Sequence, residues 1–462
     1  MEQNNRKKSC RYLAAALALA LGTGFGLSGV CTAGSAPLAS EIAGAVRPPE
    51  PPQGKGLPPE AVRNQQNAAK LTAKAITDQE TKAFDNQTLT ASATNESAFL
   101  ARNGATVTLT NSTLNKTGDS SDTDASNFSG QNAVFLSSNS TATLSHLTLN
   151  SDADGANAIF STGDKSIVNV SHVVIHTKNN SSRGLDATYG GTIHAKDVEI
   201  TTEGAHCGAL ATDRGEGNVL VENAKIVTSG EGSPCIYSTG NIQLTNGTGE
   251  AMGSEIAVVE GKNSIVLNNA RLTGHVKHGI MLYQSFSGDA GIGEAKFTAK
   301  NSILTNKSNG PMFYITNTTA TANLENTQLI QDGDVLILAA SDRWGKEGRN
   351  GGIFTLNATQ QELAGKVLGN NISQITLNLQ SGSHWTGSFN EDYAADKASL
   401  NLAQDAVWDV TANSYLTTFS DADSTFHNIN SNGHKIYYDK KENPALGGKT
   451  YKLPGGGKLI AK

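Results

Sequence analysis

The sequence predicts an all-β fold, a parallel β-solenoid whose coils of about 24 residues stack into three sheets. Three observations predict it. One short polar phrase recurs, as "LTNSTL" at Leu109, "VSHVVI" at Val170, "VENAKI" at Val221, "LNNARL" at Leu267 and "LENTQL" at Leu324. Its spacing is nearly constant. Its apolar positions alternate as in a strand and then break step at one fixed point.

The central polar residue of the phrase is the pivot of each copy: Asn111, His146, His172, Asp197, Asn223, Asn246, Asn269, Asn301 and Asn326. The steps between them are 35, 26, 25, 26, 23, 23, 32 and 25, and six of the eight lie between 23 and 26. Four residues before the pivot stand Val107, Ala142, Val168, Ile193, Val219, Ile242, Ile265, Phe297 and Ala322. Two before it stand Leu109, Leu144, Val170, Ala195, Val221, Leu244, Leu267, Ala299 and Leu324. Three after it stand Leu114, Leu149, Ile175, Ile200, Ile226, Gly249, Leu272, Leu304 and Leu329, with Gly249 the one exception. Positions −4 and −2 alternate as on a strand with one buried face. Position +3 breaks the alternation, so the chain turns a corner at the pivot and starts a second strand. A third strand lies upstream, in "NAVFLS" at Asn132, "NAIFST" at Asn157, "GLDAT" at Gly184, "GALAT" at Gly208, "CIYST" at Cys235 and "GIMLY" at Gly279.

No single coil buries its apolar face, whereas stacked coils share one core. Small side chains suit a narrow interior, in keeping with only 6% aromatic residues in 462. The pivots are expected to stack as a ladder of side chains that give to one neighbour and accept from the next, which would satisfy polar groups otherwise costly to bury. The 35- and 32-residue steps hold "GDSSDTDASNFSG" from Gly118 and "SFSGDAGIGEA" from Ser285. These are loops on which binding would be grafted.

The solenoid is expected over residues 96–435. Ahead of it, Arg6, Lys7, Lys8 and Arg11 precede an apolar run from Leu13 to Leu27, and small residues end at Ala33. Residues 1–33 read as a signal peptide. The rival is a single-pass anchor, disfavoured by a short run broken by Gly22, Gly24 and Gly26. A lipoprotein reading at Cys31 is disfavoured by Val30 before it. Residues 34–60 form a linker containing "RPPEPPQGKGLPP" from Arg47. Residues 61–95 read as an N-terminal segment, with a weak helical stripe at Val62, Ala69, Ile76 and Ala83. Residues 436–462 read as a cap or tail.

Cleavage after Ala33 removes four basic residues and one acidic one, leaving 32 basic and 41 acidic residues, a net charge of −9. That balance argues against nucleic acid as partner. Cys207 and Cys235 then remain, and an even pair in an exported protein reads as a disulfide. Zinc is the rival, although two cysteines without tight spacing make a poor site.

For catalysis the best candidates are Asp186 and Asp213, at similar positions of neighbouring coils with Arg183 and Arg214 nearby. Paired carboxylates suit glycoside cleavage, or Ca²⁺ binding beside a basic residue. The plain alternative is solvated rung ends. His275 and His278 beside Lys277 read as a charged loop tip. Asp332, Asp334 and Asp342 read as turn residues with too few ligands for an EF-type loop. No Walker loop or H-E-x-x-H appears.

Residues 96–435 resemble a right-handed parallel β-helix of the pectate-lyase-like superfamily, and most of all the passenger domains of adhesin-like autotransporters. "ITLNLQSGSHWTGSF" from Ile375 and "ASLNLAQDAVWDVTANSYL" from Ala398, with Trp385 and Trp408, are similar to the last coils of pertactin-like passengers. The handedness is what that resemblance implies. So is a role for the last coils in folding and capping. In that family a membrane β-barrel follows the passenger. The sequence ends at Lys462, so the expectation is a passenger without its translocator. The "GDSGS" protease signature of some passengers is absent.

The expectation for function is therefore a non-catalytic, adhesin-type protein, exported through the inner membrane of a Gram-negative bacterium. It would bind a glycan or host-surface protein and use no cofactor or metal. A polysaccharide lyase or hydrolase on the same fold is the alternative, and a structural envelope protein the second.

Overall fold

The corner residue sets the course of the coils from Asn86 to Gln360. In the computed structural model, which describes residues 70–462, all nine pivots have a left-handed backbone, with φ from 47° at Asn326 to 58° at Asn223. Asn86 (φ 53°) and Gln360 (φ 50°) extend the same column in both directions. Side chains with a Cβ pay about 1 kcal/mol or more for this conformation, and Asn, Asp and His tolerate it best. This explains which residue types occupy the pivot. The backbone N–H groups of Asn111, Asn269, Asn301 and Asn326 each donate to the carbonyl just before the next corner, at 3.0–3.2 Å.

The expectation of a buried side-chain ladder is corrected in part. Most corner side chains are exposed, and Asp197 and Asn223 are half-buried. Contacts join them in pairs and short runs: Asn223 Nδ2 to Asp197 Oδ1 at 2.8 Å, Asn269 to Asn246 at 2.6 Å, Asn326 to Asn301 at 2.9 Å. His146 and His172 stack with centroids 4.8 Å apart. Water can satisfy groups on this edge, so the backbone conformation, rather than burial, accounts for the column.

The described residues form an all-β parallel β-solenoid of about 16 turns. One sheet, here called sheet A, has twelve parallel strands, from Thr72–Asp78 through Leu185–Thr188 and Leu210–Thr212 to Lys366–Gly369. The corner joins the other two arms. In five consecutive coils it is crossed by an unbroken strand, from Thr141–Ser151 to Asn241–Ala251, and elsewhere the two arms are separate strands. Register is kept residue for residue: Val168 pairs with Ala142 and Ile193, Val170 with Leu144 and Ala195, Ile175 with Leu149 and Ile200. Positions −4 and −2 are buried throughout. So is +1, in Leu147, Val173, Val198, Ala224 and Ala270. The left-handed residue inverts the alternation, so that −2 and +1 face the same interior.

Gly249 leaves its core position open because Leu272 and Cys235 fill it. A Cβ there would lie 2.8 Å from Leu272 Cδ2 and 3.0 Å from Cys235 Sγ. Trp385 and Trp408 stack in the core of the last coils at 5.2 Å, and their Nε1–H groups donate to the carbonyls of Gly365 and Gly387. The C-terminal end closes with an antiparallel pair, Tyr451–Lys452 against Lys458–Ala461.

The expected limits change at both ends. Residues 1–69, with the signal peptide, the linker and the start of the N-terminal segment, lie outside the described residues. The helical stripe is overturned, because Thr72–Asp78, Thr81–Asp85 and Thr88–Ala91 are strands. They pair in parallel with the next coil, so the solenoid begins at Thr72 rather than residue 96. Ile76, a residue of the supposed apolar stripe, is 41% exposed. Beyond residue 435, Lys435–Tyr438 and Lys458–Ala461 still pair in parallel. Among the described residues no helix is long and apolar enough to cross a membrane.

At one turn glycines are required by close approach. A Cβ on Gly230 would lie 1.8 Å from the carbonyl oxygen of Gly204, and one on Gly253 would lie 2.3 Å from that of Gly230. Gly230→Ala is expected to cost about 1–3 kcal/mol, because backbone rather than a movable side chain must give way. Chemical denaturation of the variant against the parent checks this.

Candidate functional site

The two long insertions fold back onto the same place, the outer face of sheet A. The first contains the helix α1 (Thr123–Ser129), capped by the Asp122 side chain, which accepts from Ala125 N. The second is the strap 284–293. Arg214 connects them. Its guanidinium stacks 3.8 Å from the Phe128 ring of α1 and donates to Asp289 of the strap at 2.6 and 2.9 Å.

Beneath them lie the two candidate carboxylates. Leu185, Ala187 and Leu210 face the core, so Asp186, Ala211 and Asp213 face the cover. Asp186 pairs with Ala211, which places Asp213 two residues further along the next strand. Arg183 draws the two acids together, with Nη2 3.0 Å from Asp213 Oδ2 and Nη1 3.6 Å from Asp186 Oδ2. Nη1 also donates to Asn127 Oδ1 of α1 at 2.8 Å. Asp186 is 0% exposed, and neither of its oxygens has a hydrogen-bond partner. Burial raises both acids above the usual carboxylate range, and Arg183 only partly offsets it. The reading of these acids as solvated rung ends is thereby overturned. An acid pair paired to arginine and sealed from water also cannot meet a polymer in this state.

A second buried carboxylate, which the sequence did not point to, anchors the strap. Glu260 accepts from Tyr237 OH at 2.7 Å, Tyr283 OH at 2.9 Å, the Ser285 hydroxyl and the Ser287 hydroxyl. Only the outward register of sheet A, invisible without the strand pairing, would have grouped it with Asp213.

The remaining candidates scatter. His275 meets Glu250 at 2.8 Å, and His278 meets Glu255 at 3.3 Å and stacks on Tyr314. Asp332 and Asp334 face Lys307 and Lys366, and Asp342 accepts from Tyr314 OH. Among the described residues no group of three or more His, Cys, Asp or Glu side chains could hold a metal ion.

Comparison with known protein families, curated proteins and solved structures finds no match. The site must therefore be read from its own geometry.

An open groove of about 460 Å³ lies on the arm before the corner. It is lined by outward residues at −3 and −1 of five coils, among them Thr143, Asn169, Ser171, His194, Leu220 and Gln243. The repeat that exposed the core columns also marks these positions, because they alternate with the apolar ones. Lys196 and Glu222, register partners on adjacent coils of the groove, pair at 3.5 Å.

The disulfide expectation is overturned, as Cys207 and Cys235 are both free and buried. Leu210 pairs with Ile236, which sets Cys235 beside Ala209, two residues from Cys207. Cys207 instead occupies a column of serines: Ser182 N donates to its sulfur at 3.0 Å, and its own N–H donates to Ser233 Oγ at 2.9 Å. Burial pushes the two thiols up to about 11 and about 12. Both should be inert to thiol reagents in the folded protein and titrate fully, without reductant, once it is denatured. Thiol counting before and after denaturation checks this.

Proposed function

We propose that this is an exported, adhesin-type β-solenoid protein that binds a glycan through the groove on the arm before the corner. The observation that carries the reading is the chemistry of that groove. Asn169 and Gln243 offer amide donors and acceptors, Thr143 and Ser171 add hydroxyls, and Leu220 supplies an apolar surface, spread over four of the five coils. Coils repeat at about 4.8 Å, so a chain lying along the axis would meet one outward side chain per coil at an even spacing, with the residue type changing from coil to coil. The paired Lys196 and Glu222 cancel in charge, which favours a neutral sugar chain over an acidic one. A host-surface protein bearing such glycans is the corresponding partner. Passenger-like ancestry and export through the inner membrane, to periplasm, surface or medium, belong to the same reading and are supported by the basic and apolar segment up to Ala33 and by the last Trp385 and Trp408 coils. Polysaccharide cleavage by Asp186 and Asp213 is the weaker alternative, because both carboxylates lie under the cover.

Residues 34–462 are to be screened against neutral and acidic polysaccharides, with bound polymer and new chain ends read from the same samples. Binding to a neutral glycan that falls at least tenfold in Asn169→Ala/Gln243→Ala, with unfolding unchanged, is the expected outcome. New chain ends, or binding indifferent to the double variant, would contradict it.

A further inference from the structure

The outer face of sheet A carries a charge that its surroundings do not balance. Arg183 is one guanidinium between two carboxylates, Asp186 and Asp213, all within a region closed to solvent. The other charged or titratable groups facing them supply no second cation to balance the pair. Arg214 gives two of its nitrogens to Asp289 and stacks on Phe128, so that pair is neutral as a unit. Glu260 accepts from two tyrosine and two serine hydroxyls. Tyr237 and Tyr283 are raised by burial and stay neutral. The Cys207 thiol is likewise raised by burial. His206 is lowered by burial and by Arg183, so it adds no cation near neutrality. With both aspartates ionised, the cluster would hold a net charge of one unit in a dry site, an arrangement that is costly unless a proton or ion relieves it. No metal-binding group lies there among the described residues.

We propose that the Asp186–Arg183–Asp213 cluster retains one proton at neutral pH, and that this proton fastens the cover formed by α1 and the strap 284–293 over sheet A. The connection to the cover is direct. The guanidinium that serves the two acids also holds Asn127 of α1 at 2.8 Å. The residue after Asp213 is Arg214, whose N–H donates to Asp213 Oδ1 at 3.0 Å and whose side chain grips both cover elements. Thr188 Oγ1 adds a bond to the Phe128 carbonyl. When the second carboxylate ionises, Arg183 is drawn toward Asp186 and away from Asn127, and water becomes the cheapest way to solvate the excess charge. Opening the cover admits it.

The sign follows from linkage. Both acids are raised in the covered state relative to a solvated one, so the covered state binds more protons. The cover is most stable where the cluster holds its single proton, is weakened as pH rises through the raised value of the last acid to ionise, and is least stable in alkali. This is the opposite of a paired surface carboxylate, whose contribution is lost in acid. The cover is thus a device that mild acid tightens and alkali loosens, on a different face from the glycan groove and independent of that function.

Hydrogen exchange of residues 118–131 and 284–293 tests it, measured across a range of roughly pH 5 to 9 and corrected for the intrinsic pH dependence of exchange. Protection of both segments is expected to fall at least tenfold from the acid to the alkaline end in the full chain, while the core strand Thr192–Thr202 stays protected. In Asp186→Asn the protection is expected to be independent of pH, since the remaining Asp213 balances Arg183. A flat profile in the parent protein overturns the proposal, as does an equal fall in Asp186→Asn. Should the variant not fold, infrared spectroscopy of the parent decides the protonation itself. A protonated-carboxyl C=O band that persists at neutral pH and disappears in alkali supports the retained proton, and its absence at neutral pH overturns it.

Discussion

The left-handed corner is the constraint on which the rest depends. From Asn86 to Gln360, a corner residue with positive φ turns the chain between two arms and brings positions −2 and +1 onto the same interior. Without that inversion, a strand continuing past the pivot would carry Leu147, Val173 and Val198 to the solvent side. With it, each coil presents the same apolar columns to its neighbours, and parallel hydrogen bonding can run without a register change through five successive coils. Stability is then shared among coil interfaces, each of which is poor by itself.

The same repetition decides where function can sit. An outward column repeats in position as faithfully as an inward one, but its residue types vary, as in Thr143, Asn169, His194, Leu220 and Gln243, so a groove along the axis offers a different side chain at each step. Departures from the repeat are the places with individual character. Here the two long steps do not reach out as free loops. They fold over sheet A, where Arg214 ties one to the other and Arg183 ties the first to two buried acids. The covered face and the open groove are on different arms, so what closes the one leaves the other accessible.

Much of this was legible in the sequence, and the failures have physical reasons. The −4, −2 and +3 columns were visible because apolar residues at fixed offsets recur in nearly every copy. The +1 column was not, because strand alternation was extended through a residue whose backbone breaks it. Asp186 and Asp213 were visible as neighbours, but their burial was not, since the cover comes from insertions whose landing place no spacing rule gives. The helical stripe through Ile76 failed because an Ala-rich heptad pattern is weaker than pairing with the Glu96–Arg102 strand. The cysteines failed by two residues of register, enough to place one in a serine column and the other in the core space beside Gly249.

The most direct measurement compares Asn246→Gly with Asn246→Ala by equilibrium unfolding. Both variants lose the side-chain amide that accepts from Asn269, and only glycine keeps free access to φ near the observed 55°. A backbone constraint predicts that the glycine variant is the more stable by about 1 kcal/mol. Equal destabilisation of the two would show that the side-chain contact, not the left-handed corner, holds the coils in place.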